Sequence, residues 1–222
     1  MPITLREALK FTLKWEGGFT NDPVDPGGAT NRGIIQSVYN RYRRRKGLDV
    51  RTVRNLTEEE MLEIYEKDYW DLVRAKYLKS PLGLVMFDTC VNMGPSGSIS
   101  RLQMALGLNV TGSWTKEISD VIHSCDAGAI ALQICRLRVA KRYARIKEDE
   151  RQKRFLKGWL NRDNDLAKEV KKMIGANIME IEEDDEDISP DLIDNSLDAD
   201  TIKMLESFDI KWQGKWYYKF NL

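Results

Sequence analysis

The sequence predicts a mainly α-helical fold with one small β element near residues 19–35. Two capping boxes, in which a Thr begins a helix and a Glu three residues later reaches back to it, stand at Thr4–Glu7 and Thr57–Glu60. Apolar residues recur at helical spacing through most of the chain. Residues 19–33 are instead dense in Gly, Pro, Asn and Asp, a composition typical of tight turns or a short hairpin.

Each helix is placed from its apolar pattern and its flanking breakers. The first is expected to run from Leu5 through Glu16 on one amphipathic face, and Gly17 ends it. Residues 82–93 are almost wholly apolar, so we expect them to form the central buried helix, with a break at Gly94. The other helices are expected at 34–46, 57–77, 98–106, 114–124, 127–150 and 163–174.

Charge is distributed unevenly along the chain. Residues 176–222 contain thirteen Asp and Glu against four Lys and Arg, a net charge of −9 in a chain whose overall net charge is zero. The remaining body is therefore basic, and a basic body attracts anionic polymers such as nucleic acid, an anionic membrane or bacterial wall. We expect three segments: residues 1–93, a helical segment 94–175 and an acidic, aromatic C-terminal extension 176–222.

The sequence argues against membrane insertion, a secretory signal and nucleic-acid binding. No run of 18 or more apolar residues exists, so no membrane insertion is expected. The first 18 residues lack the pattern of a secretory signal, which predicts synthesis in the cytoplasm. No nucleic-acid-binding motif is visible, so a basic nucleic-acid binder is a distant alternative.

Carboxylates remain as the candidate catalytic groups, because the sequence lacks the other common catalytic motifs. The single histidine, His123, and the absence of a G-x-S-x-G motif argue against a Ser-His-Asp triad. The chain also lacks the clustered His and Cys of a zinc site and the G-x-x-x-x-G-K-[ST] loop that cradles phosphates. No metal or cofactor is therefore expected.

Glu16 is the unusual carboxylate of this chain. It continues the apolar face of the expected first helix and lies at its C-terminal end, where the helix dipole disfavours an anion. Partial burial and the dipole both favour the protonated form, which is the form that protonates a glycosidic oxygen. An ordinary surface Glu before a glycine cap is the alternative.

The turn after Glu16 supplies further polar groups. Asp22, Asp25 and Thr30 lie on a segment made rigid by Gly and Pro, which brings a second carboxylate and a hydroxyl close to Glu16. The alternative is that these residues serve only as turn formers.

These residues form part of a longer pattern, which begins with W-E-G-G-F-T-N-D-P-V-D-P-G-G-A-T-N-R-G-I at residues 15–34. The pattern continues in D-Y-W-D at 68–71, F-D-T-C-V-N-M-G at 87–94, L-Q-M-A-L-G at 102–107 and F-L-K-G-W-L-N-R at 155–162. It resembles glycoside hydrolase family 108, whose members are N-acetylmuramidases also described as secretion activator proteins. The segment 94–175 resembles the predicted peptidoglycan-binding segment of that family.

The resemblance implies a lysozyme-like fold, a catalytic role for Glu16 and hydrolysis of the MurNAc-β-1,4-GlcNAc bond of peptidoglycan. Glu16 and Asp25 have the E-x8-D spacing of phage-type lysozymes, whereas Asp25 and Thr30 are separated by four residues rather than five. Asp25 and Thr30 are therefore expected to position water. The resemblance also implies release to the wall through a holin-like or dedicated export partner.

Three further residues are candidates for substrate binding, each with a structural alternative. Tyr69 and Trp70 are expected either to stack on sugar rings or to pack in the core. Asn92 is expected either to bind an N-acetyl group or to support the site. Two other functions stay open for the chain: a non-catalytic wall-binding or secretion accessory protein, and a lytic transglycosylase that uses one Glu without a water-holding Asp.

Overall fold

The computed structural model describes residues 1–21 and 28–176, and the mainly α-helical prediction is confirmed. The helices are α1 (Leu5–Thr12), α2 (Gln36–Arg45), α3 (Glu58–Tyr65), α4 (Leu82–Ala105), α5 (Lys116–Val121), α6 (Ala127–Glu148) and α7 (Leu156–Ala176). Strands β1 (Thr30–Asn31) and β2 (Ile34–Ile35) form an antiparallel hairpin inside the predicted β element. Short 3-10 turns lie at Val53–Asn55, Ala75–Tyr77 and Glu150–Phe155, and a π-helical turn at Glu66–Trp70. In the part of the chain that the structure describes, no helix is long and apolar enough to cross a membrane.

The chain divides into two compact units, Met1–Ile99 and a second that begins at Ser100. The predicted division at 93, 175 and 222 stays a prediction, and its third segment lies, except for Ala176, outside the described residues. In the first unit, every residue from Pro81 to Cys90 of the α4 region is buried, as expected for a central helix.

The first helix is shorter than predicted. The last α-helical hydrogen bond at its end joins the Leu13 amide to the Leu9 carbonyl at 2.9 Å. The amides of Lys14 and Trp15 then donate to carbonyls only three residues back, at 3.1 and 3.0 Å. The chain therefore tightens into turns after Thr12, and the prediction that Glu16 continues the helix was wrong.

Thr12 itself joins this helix end to the central helix. Its side chain is fully buried, and its hydroxyl donates to Oδ1 of the buried Asp88 at 3.0 Å. Because a buried carboxylate requires polar partners, this bond helps to explain how α4 tolerates Asp88 among apolar residues. It also fixes the point from which the chain turns toward Glu16.

The helix predicted at 57–77 is interrupted. Its Thr57 capping box is present as predicted, with the Glu60 amide donating to the Thr57 hydroxyl at 3.2 Å. The Asp71 amide donates to the Glu66 carbonyl five residues back, which widens the backbone into the π-helical turn. Arg74 then adopts a left-handed conformation with φ of 52° and ends the helical run.

The break predicted at Gly94 is confirmed. Gly94 has φ of 78° and ψ of 165°, outside the helical region, so α4 consists of two helical halves on either side of it. Pro95 follows directly and lacks the amide hydrogen that a continuous helix would need.

A polar network joins side chains of α2, of α3 and of the segment between them. Arg43 and Arg51 pair with the Glu60 carboxylate, and Lys46 pairs with Glu63 at 2.7 Å. The Tyr42 hydroxyl donates to Glu63 Oε2 at 3.0 Å. Burial, followed by the Glu63 hydrogen bond, raises the pKa of Tyr42 to about 12.

The second unit contains a buried ionic cluster between α6 and α7. Asp163 is almost fully buried, and its Oδ1 accepts from Arg138 Nε at 2.8 Å, while Oδ2 accepts from Arg142 Nε at 3.0 Å. Arg138 is also fully buried. Two guanidinium groups therefore share one buried carboxylate, which links the two longest helices of this unit.

Candidate active site

Glu16 lies on the turn that follows α1 and is half-buried. The carboxylate is packed against the hairpin, because a side-chain carbon at Gly33 would lie only 2.8 Å from Oε2 of Glu16. The same carbon would lie 2.7 Å from the Tyr65 hydroxyl oxygen. The Glu16 carboxylate and the Tyr65 hydroxyl therefore converge on one glycine, which has no side chain to obstruct them.

Gly33 belongs to the two-residue turn of the hairpin. Asn31 pairs with Ile34, so Arg32 and Gly33 alone connect the strands. Both have positive φ, 48° for Arg32 and 76° for Gly33, as a type I′ hairpin turn requires. Glycine adopts this conformation at little cost, whereas Arg32 is an uncommon residue there.

Two side chains hold the turn in place. The buried Asn31 donates through Nδ2 to the Val53 carbonyl at 3.0 Å, which ties the hairpin to the 3-10 turn after α2. The Tyr65 hydroxyl donates to the Arg32 carbonyl at 2.7 Å. The turn that contacts the Glu16 carboxylate is therefore held in place by two side-chain hydrogen bonds.

Thr30 lies at the base of this hairpin. Its backbone pairs with Thr20 through two hydrogen bonds of 2.8 and 2.9 Å, so the chain on either side of residues 22–27 is closed by a β bridge. Its half-buried hydroxyl donates to the Gly28 carbonyl at 3.3 Å. Asp25 lies outside the described residues, so the expected grouping of Glu16, Asp25 and Thr30 stays a prediction.

Tyr69 packs against Tyr65, whereas Trp70 lies in the core. Tyr69 is half-buried, and its ring lies 5.4 Å from that of Tyr65. Burial raises the pKa of its hydroxyl, and the Glu16 charge is among the neighbours that raise it further. Trp70 is 4% exposed and packs edge-on against Phe87 at 5.4 Å, which favours the core alternative over sugar stacking.

Asn92 is half-buried in α4, two residues before the break at Gly94. This position is compatible with either of its two expected roles, and substrate binding by Asn92 stays a prediction.

The sequence predicted no role at this site for Tyr65 or Gly33. Gly33 belongs to the motif at residues 15–34, and a Gly between two short β-forming stretches is a hairpin signal. Tyr65 lies within the helix predicted at 57–77. Its four-residue spacing from Tyr69 places the two rings on one helix face, which is the signal that points to it.

Comparison with known proteins gives one family match and a similar solved structure. The model of the family described as glycosyl hydrolase 108 matches residues 9–94, a range that contains Glu16, the hairpin, Tyr65 and Tyr69. Among solved structures, SagA of Brucella abortus is similar to this chain with a TM-score of 0.64 and 25% sequence identity. The similarity covers 76% of this chain and 94% of SagA. None of the curated proteins compared matches the chain. The match of residues 9–94 and the similarity to SagA support assignment of this segment to the glycosyl hydrolase 108 family, and the mainly α, lysozyme-like fold that the sequence predicts is confirmed.

Proposed function

We propose that this protein is an N-acetylmuramidase that hydrolyses the MurNAc-β-1,4-GlcNAc bond of peptidoglycan, with Glu16 as the general acid. The observation that carries the proposal is the placement of the Glu16 carboxylate against the Gly33 turn, half-buried and within the family match. A carboxylic acid in such surroundings can protonate the oxygen of the leaving sugar, which lowers the barrier to cleavage of the glycosidic bond.

The second half of the reaction needs a water molecule on the opposite face of the sugar. Asp25, which follows Glu16 at the E-x8-D spacing, is the proposed group that holds or activates this water, assisted by the Thr30 hydroxyl. In this mechanism no covalent sugar–enzyme bond forms, and the anomeric configuration is inverted. The residues of this chain then supply both the proton and the water activation.

The proposed route to the substrate is release from the cytoplasm through a holin-like or dedicated export partner. The proposed substrate is the peptidoglycan wall, a polymer so large that the site which cleaves it must lie at the protein surface. Tyr69, half-buried and packed against Tyr65, is the proposed aromatic platform for a sugar ring.

The identity of the terminal sugar on the cleaved peptidoglycan fragments tests the proposal. Purified peptidoglycan is digested with the protein, and the fragments are analysed by mass spectrometry. We expect muropeptides that end in a reducing N-acetylmuramic acid. Fragments that end in an anhydro sugar would identify a lytic transglycosylase, and reducing N-acetylglucosamine ends would identify a different bond specificity.

The Asp25→Asn variant tests the water-holding role. We expect it to retain binding to peptidoglycan and to lose turnover by roughly 10²-fold or more, because an amide cannot accept the proton of the attacking water. The carboxyl groups of Glu16 and Asp25 should lie about 6.5–9.5 Å apart in a crystal structure, as in inverting enzymes.

Asp22→Asn is the matched comparison, since Asp22 lies three residues earlier in the same Gly- and Pro-rich sequence. A loss of turnover in this variant, with normal turnover in Asp25→Asn, would move the water-holding role to Asp22. Retention of the anomeric configuration, followed by NMR on the first products, would contradict the inverting mechanism.

A further inference from the structure

We infer that Tyr65 is a positioning residue for the Glu16 carboxylate and that it acts through the Arg32–Gly33 turn. The inference rests on the proposed function, since it assigns to Tyr65 the task of aiming the acid. It also makes a structural claim that holds whether or not the protein cleaves peptidoglycan.

The first step of the argument is the close approach at Gly33. A side-chain carbon there would lie 2.7 Å from the Tyr65 hydroxyl oxygen, 2.8 Å from Glu16 Oε2 and 3.0 Å from Glu16 Cδ. Contacts below 3.0 Å are sterically forbidden for a carbon atom, so the site as it stands requires glycine at this position. The turn and the Tyr65 hydroxyl therefore form a surface that fits the Glu16 carboxylate.

The second step is that Tyr65 has almost no freedom to move. Its side chain is fully buried at the end of α3. Its ring lies edge-on to Phe87 at 5.9 Å and tilted against Tyr69 at 5.4 Å. Since buried aromatic rings packed on two sides keep one rotamer, the Tyr65 hydroxyl is a fixed point beside Glu16.

The third step concerns the backbone that Tyr65 holds. Arg32 has φ of 48°, a conformation that non-glycine residues rarely adopt. Its carbonyl accepts the hydrogen bond from the Tyr65 hydroxyl at 2.7 Å. Strained backbone of this kind persists only where the surroundings fix it, so loss of this bond should relax the turn under the Glu16 carboxylate.

The consequence for catalysis follows from geometry. A general acid must lie within hydrogen-bond distance of the oxygen that it protonates. A displacement of the acid by one ångström is enough to cost about 10²-fold in rate. Tyr65 should therefore influence kcat strongly and the affinity for peptidoglycan only weakly.

The Tyr65→Phe variant tests the hydroxyl alone. We expect kcat to fall by about ten- to a hundredfold, with KM within about twofold of the parent value, because the acid is misplaced while the binding surface remains. Tyr42→Phe is the matched control, since Tyr42 is also buried and its hydroxyl also donates a hydrogen bond, to Glu63. This control should keep the parent kcat.

The Gly33→Ala variant tests the space occupied by Glu16. It should lose activity at least as severely as Tyr65→Phe. Gly47→Ala is its control, because Gly47 has a similar φ of 69° but no atom within 4 Å of the added carbon. Both alanines introduce backbone strain, so both should lower the Tm, and only Gly33→Ala should also abolish turnover.

Crystal structures of Tyr65→Phe and Tyr42→Phe provide a readout that does not depend on activity. We expect the Glu16 carboxylate to move away from residue 33 in Tyr65→Phe and to stay in place in Tyr42→Phe. If the carboxylate stays in both variants, or if Tyr65→Phe keeps the parent kcat, the positioning role is wrong. A parent protein that never cleaves peptidoglycan would overturn the proposed function, while movement of the carboxylate would still support the structural claim.

Discussion

The Glu16→Gln variant is expected to lose nearly all lytic activity while it keeps its fold and its binding to insoluble peptidoglycan. Glutamine preserves the size of the side chain and can occupy the same space against Gly33, but it has no proton to transfer to the leaving oxygen. General acid catalysis contributes on the order of 10²–10⁴ in rate, so the initial rate of peptidoglycan clearing should fall by about that factor.

The thermal unfolding of this variant separates catalysis from folding. The Tm should stay equal or rise, because groups placed for catalysis commonly cost stability that a neutral replacement recovers. Glu58→Gln is the control, since Glu58 is an exposed carboxylate of the same unit whose ion pair with Arg6 lies on the surface. It should clear peptidoglycan at the parent rate.

The largest loss of stability is expected from Asp163→Asn in the second unit. This change leaves the buried Arg138 and the nearly buried Arg142 without their shared carboxylate, while the shape of the side chain is preserved. Removing one partner of a buried ion pair costs about 3–5 kcal/mol, because the remaining charge stays desolvated. The urea midpoint of unfolding, followed by circular dichroism, should therefore fall sharply.

Asp120→Asn is the control for this experiment. Asp120 pairs with Lys116 at 2.6 Å on the exposed surface of α5, and exposed ion pairs contribute little to stability. Its urea midpoint should stay close to that of the parent. An equal midpoint for Asp163→Asn and the parent would show that the Asp163 cluster does not stabilise the unit.

The elements that the sequence predicted correctly are those with local signals. Both capping boxes are present, the break at Gly94 has the positive φ of a glycine stop, and the hairpin lies inside the predicted β element. Each depends on residues within a few positions of one another, which is the range over which propensity and capping act.

The elements that it missed depend on contacts between distant residues. The first helix stops at Thr12, whose hydroxyl bonds with Asp88, 76 positions later in the chain. Glu16 therefore lies four residues beyond the helix, where the dipole effect expected from the sequence has fallen away. The π-helical turn at Glu66–Trp70 was not predicted either, and it moves the next buried position from Tyr65 to Trp70, five residues later.

The residues of the candidate site also divide into those with a local sequence signal and those that only long-range contacts bring together. The sequence motif identifies Glu16. Its carboxylate is held in place by Tyr65, 49 positions later in the chain, and by Gly33, which leaves room for it because it has no side chain. Only the tertiary structure brings these residues together. The expected burial of Glu16 agrees with the structure, but its cause is the hairpin turn rather than the helix.

The most direct test of the central claim compares the reducing ends that the parent protein and Glu16→Gln release from the same purified peptidoglycan. Products are reduced with borohydride and counted by mass spectrometry as terminal muramicitol. The account predicts a steady increase of muramicitol ends with the parent protein and almost none with Glu16→Gln, although both proteins sediment with the polymer. Equal release by the two proteins would contradict the role of Glu16, and binding without release by the parent would identify a wall-binding accessory protein instead of an enzyme.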